Sequence, residues 1–131
     1  MKESDFVCVL DASALLAILQ GEPVRTELQK MLVNAAISTV NWSEVVQKAL
    51  DRDVEVDDMR PEVEALGVTI VPFSSDHAER AAFLRKATRH LGLSLGDRSC
   101  LALAEDLRVP VITTDKTWKD LKLGMEIRVA R

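Results

Sequence analysis

The strongest chemical signal in this sequence is a set of four acidic residues that stand where predicted strands end or predicted helices begin: Asp11, Glu44, Asp97 and Asp115. Carboxylate oxygens are hard metal ligands, and a set without histidine or cysteine favours Mg²⁺ or Mn²⁺ over zinc. Four carboxylates held together also repel one another, so either some are protonated or cations bind between them. Such a site is suited to the metal-assisted hydrolysis of a phosphodiester.

The elements that must position these acids alternate between strands and helices. Apolar, partly β-branched runs predict strands at Phe6–Leu10, Ala36–Val40, Val68–Phe73 and Val109–Thr114, with a possible edge strand at Glu126–Ala130. Helical spacing predicts helices at Ala12–Leu19, across Val24–Leu32, Trp42–Leu50 and Met59–Leu66, and at Ser75–His90 and Gly96–Leu107, then a short turn at Thr117–Leu121. This alternation predicts an α/β fold whose parallel sheet is covered on both faces, in one domain spanning residues 1–131.

The predicted topology brings the four acids to one edge of the sheet. In a parallel sheet, the end of each strand and the start of the next helix share the edge at which ligands bind. Asp11 ends the first strand, Asp115 follows the fourth, and Glu44 falls in the first turn of the helix after the second strand. The helix that Asp97 begins reaches the fourth strand after almost no loop, so Asp97 lies at the same edge.

Helix capping is a second interpretation of each acid taken alone. Ser94 and Asp97 have the spacing of a capping box, and Asn41 and Glu44 repeat it with Asn41 as the N-cap. The other two acids suit N-cap positions themselves. Capping does not require all four acids to fall at one edge, so a shared functional site is the stronger interpretation of the set.

Other catalytic chemistries find little support. His77 and His90 are predicted to lie on the surface of the helix before Asp97, away from the acids. The sequence shows no glycine-rich phosphate loop, nucleophile elbow or catalytic pairing of cysteine with histidine. Cys8 and Cys100 stand in apolar runs without metal-ligand spacing, which predicts buried free thiols in a reducing compartment.

Composition limits the compartment and the partners. Asp11 interrupts the apolar run from Phe6 to Leu19, which argues against a signal peptide or a membrane span, so we expect a cytoplasmic protein without a membrane partner. The net charge of −4 argues against binding to nucleic acid by bulk charge alone. It leaves room for a nucleic-acid enzyme whose acidic site binds cations.

Four segments, taken in order, resemble the motifs of PIN-domain ribonucleases, and among these the VapC toxins of bacterial and archaeal toxin–antitoxin pairs. They are "VLDASALLAIL" from Val9, "STVNWSEV" from Ser38, "LSLGDRSCLALA" from Leu93 and "VITTDKTW" from Val111. No single segment is specific, but the ordered set is, and it extends over the chain from end to end.

The resemblance implies a three-layer α/β/α sandwich with a central parallel sheet of four to five strands. It also implies a Mg²⁺- or Mn²⁺-dependent endoribonuclease that forms a homodimer and binds an antitoxin. The matching catalytic and metal-binding positions are Asp11, Glu44, Asp97 and Asp115. Ser13 matches the small hydroxyl residue two positions after the first acid, and Thr114 the one before the last acid. Gly96 stands where the family often has alanine, a difference to which we assign no effect.

Basic residues near the predicted site are candidate contacts to RNA phosphates, with a solvated helix surface as the alternative interpretation. Arg98 follows Asp97, Arg85 and Arg89 belong to the preceding helix, and Lys116 follows Asp115. We expect single-stranded or looped RNA as the substrate, because the scissile phosphate must enter a narrow acidic cleft.

Two other functions fit the same pattern. A catalytically silent PIN-like module that binds RNA or protein would keep the acids without turnover. A receiver-type or small phosphatase domain also places acids at strand ends. That class needs two or three acids around the first strand, where Asp11 stands alone, and a lysine after a late strand, which Lys116 imitates.

Overall fold

The computed structural model describes residues 5–23 and 26–130, and in them a single parallel sheet of five strands forms the centre of the fold. The strands are β1 (Cys8–Leu10), β2 (Ala35–Ser38), β3 (Thr69–Val71), β4 (Val111–Thr113) and β5 (Ile127–Val129). Their order in the sheet is β3-β2-β1-β4-β5, so the first strand of the chain is the central one. The predicted parallel sheet is confirmed, and the possible edge strand is present as β5.

Six α-helices connect these strands within the described residues: α1 (Ala12–Leu19), α2 (Thr26–Met31), α3 (Thr39–Asp51), α4 (Met59–Ala65), α5 (Ser75–Thr88) and α6 (Leu95–Leu107). Short 3-10 turns lie at Leu32–Asn34, Arg89–Leu91 and Lys116–Asp120. Val24, the first residue of the helix predicted across Val24–Leu32, lies outside the described residues. None of the helices in residues 5–23 and 26–130 combines the length and apolar character needed to cross a bilayer.

The strands divide their side chains between two hydrophobic cores, one on each face of the sheet. In β1, Cys8 and Leu10 pack with residues of α1 to α4, whereas Val9 packs with residues of α5 and α6. In β2, Ile37 packs in the same core as Cys8 and Leu10, and Ala36 packs in the same core as Val9. This alternation follows from the two-residue period of a strand. It produces the predicted three-layer α/β/α sandwich.

The boundary between β2 and α3 lies earlier than the sequence predicts. The β-branched residues Thr39 and Val40 favour a strand, but both belong to α3. Ser38 Oγ accepts a hydrogen bond from the Val40 N–H (3.2 Å), which makes Ser38 the N-cap. The prediction of Asn41 as N-cap is therefore wrong, and Glu44 lies in the second turn of the helix instead of the first.

The connection between α6 and β4 is as short as predicted. It consists of residues 108–110, and Arg108 turns the chain at the end of the helix with a left-handed φ of 58°. Because the connection is short, α6 ends at the amino edge of the sheet and begins at the carboxyl edge. The start of α6, where Asp97 lies, therefore reaches the edge at which Asp11 ends β1.

The two cysteines are buried and free, as predicted. Burial raises the pKa of the Cys8 thiol to about 12, so this side chain is neutral and packs as a small apolar group.

Gly67, between α4 and β3, allows a close backbone approach that the fold requires. Its φ is +100°, and an added Cβ would lie 2.4 Å from the backbone Cα of Val33. We expect Gly67→Ala to lower the free energy of unfolding by about 2 kcal/mol or more, because left-handed strain adds to a backbone collision. Urea denaturation measures the loss.

Gly92→Ala is the matched control for that substitution. Gly92 has a φ of +64°, and no atom lies within 4 Å of its added Cβ, so only the conformational strain of about 1 kcal/mol applies. Equal losses in the two variants would show that the approach to Val33 carries no energetic weight.

Candidate active site

The four predicted acids line one cleft at the carboxyl edge of the sheet. We call it the acidic cleft; it measures about 230 Å³ and is formed by Asp11, Ala12, Ser13, Leu16, Asn41, Glu44, Lys48, Asp97, Asp115 and Trp118. The acids come from the end of β1, from α3, from the start of α6 and from the residue after β4. The structure thus brings together residues that are up to 104 positions apart in sequence, from Asp11 to Asp115.

Asp11 is the most buried of these acids, and hydrogen bonds reach both of its oxygens. Oδ1 accepts from the Ser13 hydroxyl (2.7 Å) and from the Ala14 N–H (2.8 Å), so Asp11 is also the N-cap of α1. Oδ2 accepts from the Thr113 hydroxyl (2.5 Å). The N-cap interpretation of Asp11 is therefore confirmed, and the bonds fix the orientation of the carboxylate.

Thr113 is a site residue that the sequence reasoning missed. Besides its bond to Asp11, Thr113 Oγ1 accepts a hydrogen bond from the Asp115 N–H (3.0 Å). The signal lies in the strand register, which the sequence alone does not fix: the register pairs Leu10 with Ile112, and the next position along both strands pairs Asp11 with Thr113. The residue selected instead, Thr114, contributes its backbone N–H to Ser13 Oγ (3.1 Å) and does not line the acidic cleft.

Asp97 and Asp115 each hold the start of a helix as well as facing the cleft. Asp97 Oδ2 accepts from the Ser94 N–H (2.9 Å) while Ser94 Oγ accepts from the Asp97 N–H (3.1 Å), which is the predicted capping box. Asp115 Oδ1 accepts from the Thr117 N–H (2.9 Å) and hydroxyl (2.6 Å) and caps the turn at Lys116–Asp120. One carboxylate oxygen of each residue is thus engaged in capping.

Glu44 is held by Asn41 and packs against Gly96. The Asn41 amide donates to Glu44 Oε1 (3.0 Å) and to the Gly96 carbonyl (2.9 Å). A Cβ added to Gly96 would lie 2.5 Å from Glu44 Oε2. An alanine at this position would therefore displace the flexible end of the Glu44 side chain.

The electrostatics of the cleft show that the acids influence one another. Burial raises the pKa of Asp11 above its ordinary value; hydrogen bonds from Thr113, Ala14 and Ser13 oppose the shift, and the charge of Asp97 adds to it. The Cys100 thiol has a raised pKa first because it is buried, and then because of the charges of Asp11, Asp97 and Glu44. The charges of three of the four acids thus act on the same buried thiol, that of Cys100.

The ligand atoms that the cleft offers are of the type that a hard divalent cation prefers. The titratable groups that line the cleft are carboxylates and one lysine, with no histidine or thiol among the lining residues. Within residues 5–23 and 26–130, no three Asp, Glu, His or Cys side chains are positioned to hold an ion together. The capping bonds of Asp97 and Asp115 hold one oxygen of each carboxylate at the start of its own helix or turn. Their second oxygens are the atoms available to a cation.

Three predicted RNA contacts lie outside the acidic cleft. Lys116 is exposed next to Asp115. Arg85 and Arg89 line a separate hollow of about 110 Å³ together with Gly92 and Leu93. Lys48, which no motif singled out, does line the cleft; it lies four residues after Glu44 and so on the same face of α3.

Two predictions about side chains on α5 and α6 are wrong. Arg98 is only 8 % exposed, and its guanidinium donates to the carbonyl of Ala81 on α5 (2.8 Å), so the interpretation of Arg98 as a solvated surface charge is wrong. Its contact with RNA stays a prediction. His77 is also 8 % exposed, and its Nε2 lies 2.9 Å from Asp106 Oδ2 instead of on the helix surface. Both errors have one cause, namely the packing of α5 against α6.

The buried carboxylate of Asp11 should lower stability at neutral pH in metal-free solution. A raised native pKa means that the contribution of Asp11 to stability is fully present below its ordinary value of 3.8 and is lost as pH rises through the native value. Asparagine keeps the capping oxygen and buries no charge. We therefore expect Asp11→Asn to have a higher free energy of unfolding than the natural chain, by a margin that grows from acid to neutral pH.

Urea denaturation in EDTA across this pH range measures that margin. Asp51→Asn, at an exposed position at the end of α3, is the control and should show no such trend. A difference that is constant with pH would contradict the assignment.

Comparison with known families and structures supports the architecture. The family model for the PIN domain matches residues 8–123 of this chain. No curated protein matches the chain significantly. Among solved structures, a toxin–antitoxin complex from Klebsiella pneumoniae contains a chain 27 % identical to this one, with a TM-score of 0.65, covering 87 % of this chain and 92 % of that chain.

Two further structures share the fold at lower identity. DNA-bound VapBC from Salmonella typhimurium is 15 % identical with a TM-score of 0.72, covering 95 % of this chain and 98 % of that one. VapBC-5 from Mycobacterium tuberculosis is 22 % identical with a TM-score of 0.58, covering 96 % and 98 %. The family match extends over most of the chain and the parallel five-stranded sheet agrees with it, so this chain belongs to the PIN domain family.

Proposed function

We propose that this chain is a Mg²⁺- or Mn²⁺-dependent endoribonuclease and the toxin of a toxin–antitoxin pair. PIN domains are in general nucleases that use divalent metals. The observation that carries the proposal is the acidic cleft, in which all four acids of the ordered motifs line one cavity. Helix capping accounts for hydrogen bonds of Asp11, Asp97 and Asp115, but it accounts neither for their convergence nor for Glu44.

The four acids have distinct roles in this proposal. Asp11, Asp97 and Asp115 hold the cation, and Glu44 either joins them or orients the attacking water. When bound, the cation supplies Lewis-acid stabilisation of the charge on the phosphoryl oxygens. Thr113 and Ser13 keep the Asp11 carboxylate in one orientation through their hydrogen bonds, as partners behind a metal ligand commonly do.

We propose single-stranded or looped RNA as the substrate. The cleft of about 230 Å³ lies between the starts of helices and the ends of β-strands. A flexible single strand of RNA can enter such a cleft, whereas a regular RNA duplex cannot. Lys48, which lines the cleft, and Lys116, which follows Asp115, are cations close to the proposed reaction. Arg85 and Arg89 remain candidates only for more distant phosphates.

An antitoxin is the proposed protein partner, because the solved structures to which this chain is similar are complexes of toxins with antitoxins. The apolar residues whose spacing predicts the helices across Val24–Leu32 and Trp42–Leu50 pack largely into the core, since Leu28, Leu32 and Val45 are buried. A hollow of about 350 Å³ remains, lined by Ile18, Gly21, Glu22, Gln29, Leu32 and Leu66. It offers an apolar floor for an amphipathic segment.

A homodimer is also part of the proposal. Phe83 on α5 is 71 % exposed, and Leu91 and Leu95, in the turn after α5 and at the start of α6, are exposed as well. Exposed side chains of this size are suited to a protein interface.

Asp97→Asn should abolish cleavage of RNA with little loss of stability. The amide oxygen of asparagine can still accept from the Ser94 N–H, but the charge that attracts the cation is gone. We expect turnover to fall by about 100-fold or more, since losing even an indirect partner of a metal ligand commonly costs about 10- to 100-fold. Incubation with Mg²⁺ and a mixed RNA pool, followed by mapping of the cleaved ends, measures this.

Asp76→Asn is the matched control, because Asp76 also lies in the first turn of a helix but outside the acidic cleft. Full activity of a folded Asp97→Asn protein would show that cleavage does not require the Asp97 carboxylate. Absence of cleavage by the natural chain on every RNA, with metal bound, would favour the catalytically silent module.

The product of the gene next to this one should co-purify with the chain and inhibit its cleavage of RNA. We expect the C-terminal segment of that partner to lie over the chain, with a basic residue, expected to be arginine, paired to the carboxylates of the cleft. Pull-down and inhibition assays with the neighbouring product test this. An active chain whose neighbour neither binds nor inhibits it would refute the toxin assignment and leave the nuclease assignment intact.

A further inference from the structure

We propose that Asn41 and Gly96 together form a seat that positions the Glu44 carboxylate for metal binding. Asn41 is then a positioning residue of the proposed nuclease, and this inference rests on the metal-dependent function proposed above. The sequence predicted neither role: it predicted Asn41 as a helix N-cap, and it gave no effect to the glycine at position 96.

The contacts of Asn41 join Glu44 to the start of α6. Asn41 is 1 % exposed, and both hydrogen bonds that its amide nitrogen donates go to acceptors around the acidic cleft: Glu44 Oε1 at 3.0 Å and the Gly96 carbonyl at 2.9 Å. Gly96 directly precedes Asp97. The same amide group therefore fixes a carboxylate on α3 relative to the backbone that carries a carboxylate on α6.

The other end of the Asn41 amide makes no comparable contact. Asn41 Oδ1 is buried and has no hydrogen-bond partner among residues 5–23 and 26–130. A buried, unsatisfied carbonyl oxygen costs folding free energy that an aliphatic side chain of similar size would not. An amide at this position is therefore useful through its NH2 group, whose hydrogen bonds hold Glu44 and the start of α6.

Gly96 completes the seat by leaving space for the carboxylate. The three atoms nearest to an added Cβ all belong to Glu44: Oε2 at 2.5 Å, Oε1 at 2.7 Å and Cδ at 2.8 Å. Gly96 lies in the first turn of α6 and its φ is not positive, so its backbone does not require glycine. Glycine leaves free the space that the Glu44 carboxylate occupies.

The test separates metal affinity from stability in the same set of proteins. Mn²⁺ affinity is obtained from the metal-induced rise in melting temperature, and stability from urea denaturation in EDTA. Asn41→Leu removes the donor and keeps the branched arrangement of four side-chain heavy atoms, and we expect Mn²⁺ to bind about 10- to 100-fold more weakly. Ser99→Ala is the control: it removes a part-buried hydrogen bond to another α6 carbonyl, that of Leu95 (2.7 Å), and should leave Mn²⁺ affinity unchanged.

Gly96→Ala is expected to change Mn²⁺ affinity and stability in different directions. This variant also tests the inference if Asn41→Leu does not fold. Alanine favours the helix, and the flexible end of Glu44 can move away, so stability should hold or rise while Mn²⁺ affinity falls. In a Glu44→Gln background, neither Asn41→Leu nor Gly96→Ala should weaken Mn²⁺ binding further, because both act through the carboxylate.

Unchanged Mn²⁺ affinity in folded Gly96→Ala, or an undiminished effect of Asn41→Leu without the Glu44 carboxylate, would overturn the inference and leave the nuclease assignment in place. A natural chain that binds no Mn²⁺ and cleaves no RNA would overturn both.

Discussion

At the carboxyl end of β1, the carboxylate of Asp11 loses most of its contact with water, and the surrounding chain has to replace the hydrogen bonds that water would have made. Ser13, Ala14 and Thr113 do so. This requirement determines much of the neighbourhood. It fixes where α1 begins, which register β4 takes beside β1, and which residue type follows the apolar part of β4. The charge of Asp97 nearby makes the requirement stricter.

The capping and metal-binding interpretations of the acids are compatible. Asp11, Asp97 and Asp115 each accept hydrogen bonds from backbone N–H groups at the start of a helix or turn. These N–H groups carry partial positive charge, which reduces the repulsion between the carboxylates while no cation is bound. Capping thus gives each acid a stable resting position in the native state. Glu44 lies in the second turn of its helix and has no such support, which is why its position depends on Asn41 and Gly96.

The alternation of strands and helices was enough to predict the sheet, the layers and the edge at which the acids meet, since periodicity and short connections constrain topology strongly. Helix starts were harder. Thr39 and Val40 have strand propensity, and only the side-chain bond of Ser38 places them in α3. Residues such as Arg98 and His77 were misplaced because charge and polarity predict exposure, whereas the packing of α5 on α6 buries both. The roles of Thr113 and Asn41 were missed because they depend on partners about 100 and 55 positions away, Asp11 and Gly96.

The short connection at residues 108–110 also bears on how this chain tolerates changes in length. A strand alternates its side chains between two faces, so inserting or deleting one residue there would exchange the faces of Val111 and Ile112 and turn Thr113 away from Asp11. The chemistry at one edge of the sheet thus depends on the residue count of a loop at the other edge, about 10 Å away along β4. The segment between α3 and α4, residues 52–58, carries no such constraint and can absorb insertions. Length variation among relatives of this chain should therefore accumulate there and be rare between α6 and β4.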